Sequence, residues 1–129
     1  MAQIKIYGLK SVLPPRRQAL SDAIHDSVVE ALQFPPDKRF HRFISLEREE
    51  FVHPADRTDD YIIIEISMFE GRTTETKKEL IRLLFSKITD RTGISPTDIE
   101  ITIFETPKVN WGIRGKPADE LTLTYKIEV

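Results

Sequence analysis

Apolar and polar residues alternate over residues 3–9 (QIKIYGL), where Ile4 and Ile6 flank Lys5 as in a half-buried strand. The prolines of the following SVLPP suit the first turn of a helix. Leu20, Ile24, Val28 and Leu32 then recur every four residues, with Ala23, Ser27 and Ala31 beside them. That single apolar stripe predicts a helix over 15–33. Phe34-Pro35-Pro36 stops it, and residues 40–47 return to strand chemistry. The second half runs the same course. YIIIEIS at 61–67 is β-branched and alternating, Gly71 and Arg72 turn the chain, and Thr73 or Thr74 is placed to cap a helix. Leu80, Leu84 and Ile88, supported by Ile81 and Phe85, form that helix's stripe. Gly93 ends it, Ile94-Ser95-Pro96 turns, and Ile99, Ile101 and Ile103 alternate as a final strand.

The two halves align residue on residue. Leu20, Ile24 and Val28 correspond to Leu80, Leu84 and Ile88, and Phe34 and Pro36 to Ile94 and Pro96, all at an offset of 60. Ile4 and Ile6 correspond to Ile62 and Ile64 at an offset of 58, which puts a two-residue slip in the strand-to-helix turn. The pattern predicts one α/β domain of two tandem β-α-β units, about 3–47 and 61–106, followed by an arm over 107–129. Right-handed crossovers join the parallel strands of each unit. The expected core is a four-stranded sheet with pseudo-twofold symmetry and both helices on one face. The other face has no obvious cover, and the closing LTLTYKIEV reads as a short strand without a partner. Assembly as a homotrimer, with the arm paired to a neighbour, would resolve both. Residues 48–60 interrupt the repeat and read as a solvated connector, with Phe51 and Val52 docking as a short edge strand.

Composition narrows the function classes. The chain has 129 residues, 31% of them charged, and 19 basic against 21 acidic residues leave a formal charge of −2. A nucleic-acid or anionic-membrane partner would call for a basic excess that is missing here. Without cysteine there is no disulfide, thiol nucleophile or cysteine-ligated zinc. His41 and His53 have no histidine or carboxylate at metal-ligand spacing, so neither a metal nor a cofactor is expected. The longest aliphatic run covers only 62–64, and MAQIKIYGLK has no signal-peptide core, which predicts a cytoplasmic protein without a membrane span.

The twin β-α-β units, the string GISPTDIEITIFET at 93–106 and NWGIRG at 110–115 resemble the tautomerase superfamily, closest to its malonate semialdehyde decarboxylase-like branch. The resemblance implies an enzyme whose N-terminal amine, exposed by loss of the initiator methionine, moves a proton. Family members carry proline there, and this chain carries Ala2. An N-terminal amine has an ordinary pKa of about 7.7–8.0, suited to acid–base work at neutral pH. An aspartate after the first helix assists the proline in that branch. Lys38 stands at its place here, with Asp37 one residue earlier. Of the arginines that grip a carboxylate at the end of the third strand, Arg72 remains, while Met68 and Glu70 occupy the other places. Trp111 matches the family's aromatic wall, and Ile113 stands where a second aromatic is common. A related branch uses a histidine on the first helix, but His25 lies at the edge of the apolar stripe and reads as structural.

Two readings follow. In the first, the protein moves a proton on a small 2-oxo acid, enol or other carboxylate-bearing carbonyl compound. Ala2 and Lys38 are then its catalytic residues, and Arg39, Arg72, Trp111, Ile113 and Arg114 bind the substrate. Lys38, Arg39, Arg72 and Arg114 would converge on a cationic pocket floored by Trp111, with arginine giving bidentate contacts to the carboxylate. In the second, the protein is a catalytically silent binding or structural protein of the same fold. A ferredoxin-like regulatory module also has the β-α-β repeat but accounts less well for the Asn-Trp-Gly loop.

Overall fold

The computed structural model describes residues 2–129. Six elements make the core: β1 (Ala2–Leu9), α1 (Leu13–Leu32), β2 (His41–Leu46), β3 (Ile62–Phe69), α2 (Thr74–Thr92) and β4 (Ile99–Thr106). The sheet order is β2-β1-β3-β4. Each unit pairs its strands in parallel, β1 with β2 and β3 with β4, and the units meet antiparallel along β1 and β3. Ile4, Ile6, Ile62, Ile64 and Ile66 point from one sheet face into a core with Leu20, Ile24, Val28, Leu80, Leu84 and Ile88 of the helices. The α/β fold with both helices on one face is therefore as the hydrophobic pattern predicts.

The structure corrects the repeat's bookkeeping. Strands β1 and β3 share one burial pattern over eight residues, so Ala2, Ile4 and Ile6 correspond to Ile62, Ile64 and Ile66. The offset is 60 from end to end, and there is no slip in the turn. Registers agree: Ile4 pairs with His41 and Ile64 with Ile101, the same separation in both units. Under this offset Lys5 and Glu65 are equivalents, and they face each other across the β1–β3 seam, 3.9 Å apart as an ion pair. The pseudo-twofold axis passes between them. The helix ends also match. Gln33 at φ 52° and Gly93 at φ 76° both close their helices in the left-handed conformation.

Two other expectations change. The connector forms a short 3-10 turn at Arg48–Glu50 rather than an edge strand, and only Phe51 docks, stacked on Tyr61 with ring centroids 5.4 Å apart. Val52 is 87% exposed. Phe51 joins Leu9, Val12 and Tyr61 in a satellite cluster with Tyr7, Leu46 and Ile63, so the chain covers part of its own open sheet face. Asp98, buried beneath the connector, anchors it by accepting from the Thr58 N–H (2.8 Å) and hydroxyl (2.6 Å).

The closing arm is not a strand. Its alternation survives as inward-facing Leu121, Leu123, Tyr125 and Ile127, without a hydrogen-bonded neighbour strand. Ile127 packs on Phe69 and Ala118, and the Thr73 N–H donates to the Val129 carbonyl at 3.0 Å. The arm thus docks on its own chain across the Gly71–Arg72 turn. At Gly71 (φ 131°) an added Cβ would lie 3.2 Å from the Ile127 carbonyl oxygen, so the turn needs both the backbone freedom and the space of glycine.

Candidate active site

Between the first helix and the second strand the chain makes a tight, pinned turn. The Lys38 N–H donates to the Pro35 carbonyl (3.1 Å), and the Ile4 N–H donates to the Phe40 carbonyl (3.0 Å). His25, buried on α1, shares a 2.7 Å hydrogen bond between Nε2 and the Pro36 carbonyl. The carbonyl can only accept, so Nε2 donates there, and His25 ties α1 to this turn. Together these bonds fix the backbone of Lys38 at the end of the sheet where β1 begins.

The NWGIRG loop supplies the facing wall. Gly112–Ile113 (β5) and Lys116–Pro117 (β6) form a minimal antiparallel hairpin. Its two connecting residues, Arg114 (φ 50°) and Gly115 (φ 83°), are both left-handed, the arrangement of a type I′ turn. Glycine adopts that backbone freely. Arginine does so at a cost of about 1–2 kcal/mol, and it presents its guanidinium from the hairpin tip.

Lys38, Ile113 and Arg114 line one small, partly open cleft, whose remaining wall is the arm residues Leu121–Tyr125. Among the described residues no aspartate or glutamate lines it. Tyr125 was not singled out from the sequence, because an aromatic in an alternating arm carries no signal of its own. Its ring packs edge-on to Phe34, centroids 5.0 Å apart. Burial raises its phenol pKa, and the charges of Arg72 and Arg114 act to lower it. The phenol is therefore protonated at neutral pH and stands within electrostatic reach of both arginines.

Arg72 lies behind this wall. It is 5% exposed, and burial lowers its pKa against the opposing influence of Tyr125, Glu105 and Glu128. Nη1 donates to the Phe69 carbonyl at 3.3 Å, whereas Nε and Nη2 are buried with no hydrogen-bond partner among the described residues. Those two nitrogens form one edge of the planar guanidinium, the side that offers two parallel N–H bonds to a carboxylate.

The other candidates are placed differently. Arg39 turns away and pairs with Asp22 (2.7 Å) and Ser21 (3.2 Å) on α1, outside the cleft. Trp111 donates from Nε1 to the Thr106 hydroxyl and stands edge-on to Phe69, centroids 5.1 Å apart. It lines a separate shallow cleft with Gln3, Ser67, Thr106, Asn110 and Gly112, and so does not floor the cationic one. Ala2 is 3% exposed with its methyl in the core. Its backbone opens β1 two residues before Ile4, beside the segment that carries Lys38. Removal of Met1 concerns a residue outside those described. Met68 is buried in the core, and Glu70 is exposed at the strand end. The four expected cations thus divide. Lys38 and Arg114 share the cleft, Arg72 stands behind Tyr125, and Arg39 is elsewhere. No cluster of three or more His, Asp or Glu residues capable of holding a metal occurs among the described residues.

The comparisons agree with this architecture. A family model described as tautomerase enzyme matches residues 38–114, a span that runs from Lys38 to Arg114. A probable tautomerase, YusQ, of Bacillus subtilis (strain 168) is 32% identical over 99 residues, covering 73% of this chain and 78% of that protein. A 2-hydroxymuconate tautomerase of Pseudomonas putida is 40% identical over 57 residues, covering 44% of this chain and 90% of that one. Among solved structures, a malonate semialdehyde decarboxylase inhibited by 3-bromopropiolate superposes with a TM-score of 0.77 at 26% identity, over 85% of this chain and 87% of that one. A fused 4-OT described as a symmetric trimer superposes with a TM-score of 0.78 at 19% identity, over 91% and 96% of the two chains, and shows the shared fold.

Proposed function

The chain belongs to the tautomerase family, and we propose that it is an enzyme that moves a proton on a small 2-oxo acid, enol or related carbonyl acid. The observation that carries this reading is the carboxylate-free cleft where Lys38 and Arg114 meet, backed by the buried, unpartnered edge of Arg72. A buried cation with two unused donors favours an anion strongly, since each charge-assisted hydrogen bond contributes about 1.5–3 kcal/mol. The substrate carboxylate lies on Arg114, and Arg72 adds its field through Tyr125 or engages directly when the arm yields. With Met1 removed, the Ala2 amine opens β1 beside the Lys38 segment and takes the proton-transfer role. The assembly is a homotrimer, as in the fused 4-OT, and buries the part of the sheet around Lys5, Glu65 and Phe104 that the connector leaves uncovered.

The second reading, a binding protein without turnover, has one observation in its favour: the arm docks across the turn that carries Arg72. Ketonisation of phenylpyruvate by untagged protein, with Met1 removal verified by mass spectrometry, separates the two. Turnover that disappears in Arg114→Ala and in protein with an N-terminal extension supports the enzyme. Turnover indifferent to both changes would remove Ala2 and Arg114 from the mechanism.

A further inference from the structure

We propose that Lys38 is an imine-forming amine, so that the cleft captures 2-oxo acids covalently as well as by charge. The proposal rests on the reading above for its substrate class and goes beyond it in chemistry. Three observations lead to it. Lys38 is half-buried and, like Lys78, Lys108, Lys116 and Lys126, makes no ion pair among the described residues, but of these five only Lys38 lines the cleft. Its backbone is held by the pinned 35–40 turn, so the amine is delivered from a fixed base rather than a mobile loop. Finally, Arg114 and Tyr125 line the same cleft, one to hold a carboxylate and the other to hand a proton to an oxygen.

A 2-oxo acid carries its carbonyl carbon one bond from the carboxylate. With the carboxylate on Arg114, that carbon is confined to the cleft into which Lys38 projects. Confinement of this kind replaces a bimolecular encounter by a local one, and a lysine amine is the group that adds to such carbonyls. The neutral Nζ lone pair forms the C–N bond, and the carbonyl π pair moves to oxygen, which takes a proton from the Tyr125 phenol. A proton from Nζ returns to the phenolate. The nitrogen lone pair then closes the C=N bond as the hydroxyl leaves with the second Nζ proton. The products are imine and water, with no change in oxidation state. Arginine at position 38 would keep the charge and lose the addition chemistry.

Trapping tests this directly. The intact protein is incubated with pyruvate and sodium cyanoborohydride, then mapped by mass spectrometry after digestion with a protease that does not cut at lysine. The expected result is one reduced pyruvyl group on Lys38, lost in Lys38→Arg and suppressed in Arg114→Ala. A label confined to the N-terminal amine, one spread over exposed lysines such as Lys78 and Lys126, or no label overturns the proposal. Phenylpyruvate ketonisation on the same preparation keeps the two readings apart. Turnover without trapping at Lys38 rejects the imine alone, and trapping without turnover rejects the proton-transfer reading alone.

Discussion

Arg114→Asn is expected to raise stability while it weakens the site, two effects of opposite sign from one substitution. Arg114 occupies the first position of a type I′ turn with φ 50°. Asparagine tolerates that conformation far better than arginine, whose left-handed backbone costs about 1–2 kcal/mol. The side chain is exposed at the hairpin tip and makes no ion pair among the described residues to set against this cost. The net gain is about 0.5–1 kcal/mol, which for a chain of this size is a rise in Tm of roughly 2–5 °C. In the same variant the proposed charge-assisted contact to a substrate carboxylate would be lost, worth about 1.5–3 kcal/mol, or roughly 10- to 150-fold in Kd or KM. Thermal unfolding followed by circular dichroism, at fixed protein concentration, reads the first effect. Titration with phenylpyruvate reads the second. A fall in Tm of several degrees would show that the guanidinium holds the structure or an interface between copies. Unchanged affinity would show that the strained position is not maintained for a carboxylate.

Three further substitutions probe the core and the cleft. Arg72→Met removes a buried cation with two unpaired nitrogens at the expense of one 3.3 Å bond to the Phe69 carbonyl, so stability should rise by about 1 kcal/mol in denaturant titration while anion affinity falls. His41 is pushed down to about 4, chiefly by burial, with the Arg39 charge and His25 adding and Asp22 opposing. Its neutral form is the one the fold accepts, so stability is full above the ordinary value of 6.5 and declines as pH falls towards 4, by about 2 kcal/mol after allowance for solvent screening. His41→Asn keeps a hydrogen-bonding partner for the Ser21 hydroxyl and should flatten that part of the stability–pH curve; an unchanged slope would assign it to other groups. Gly8→Ala would place a Cβ 2.8 Å from Leu13 Cγ and 3.3 Å from Ile62 Cγ2, and overpacking of this kind should cost about 1–3 kcal/mol in urea unfolding.

The fold was legible because its information is periodic. Stripes such as Leu20–Ile24–Val28 and alternations such as Ile99–Ile101–Ile103 repeat a rule many times, and one ambiguous residue does not spoil the reading. The offset of 58 shows where that advantage ends. Ile4 and Ile6 align with Ile62 and Ile64 as well as with Ile64 and Ile66, because a strand of alternating isoleucines looks the same after a two-residue shift. Only the neighbouring strand decides, through the pairing of Ile4 with His41 and of Ile64 with Ile101. The connector and the arm were misread for a related reason. Alternation reports which side chains face inward, as Leu121, Leu123, Tyr125 and Ile127 do, but not whether the backbone finds a partner strand.

The cleft was less legible because it depends on which charges already have partners. Nothing in PPDKRF separates Lys38 from Arg39, yet the carboxylate of Asp22 takes Arg39 onto α1 and leaves Lys38 to the cleft. Arg72 and Tyr125 enter through the arm, whose course no local pattern foretells. Three features at this end of the molecule run against stability: a left-handed arginine, a buried guanidinium with an unused edge, and a lysine beside Arg114 with no counter-ion lining the cleft. A chain selected for stability alone would replace each of them, whereas one carboxylate bound in the cleft would be a common counter-charge for all three side chains, Arg72 acting through its field. That shared remedy is a stronger argument for an anionic ligand than any one of the residues, and it makes a sharp demand. A 2-oxo acid should raise the Tm of the unmodified protein and do so less in Arg114→Asn and in Arg72→Met, whose strain has already been relieved.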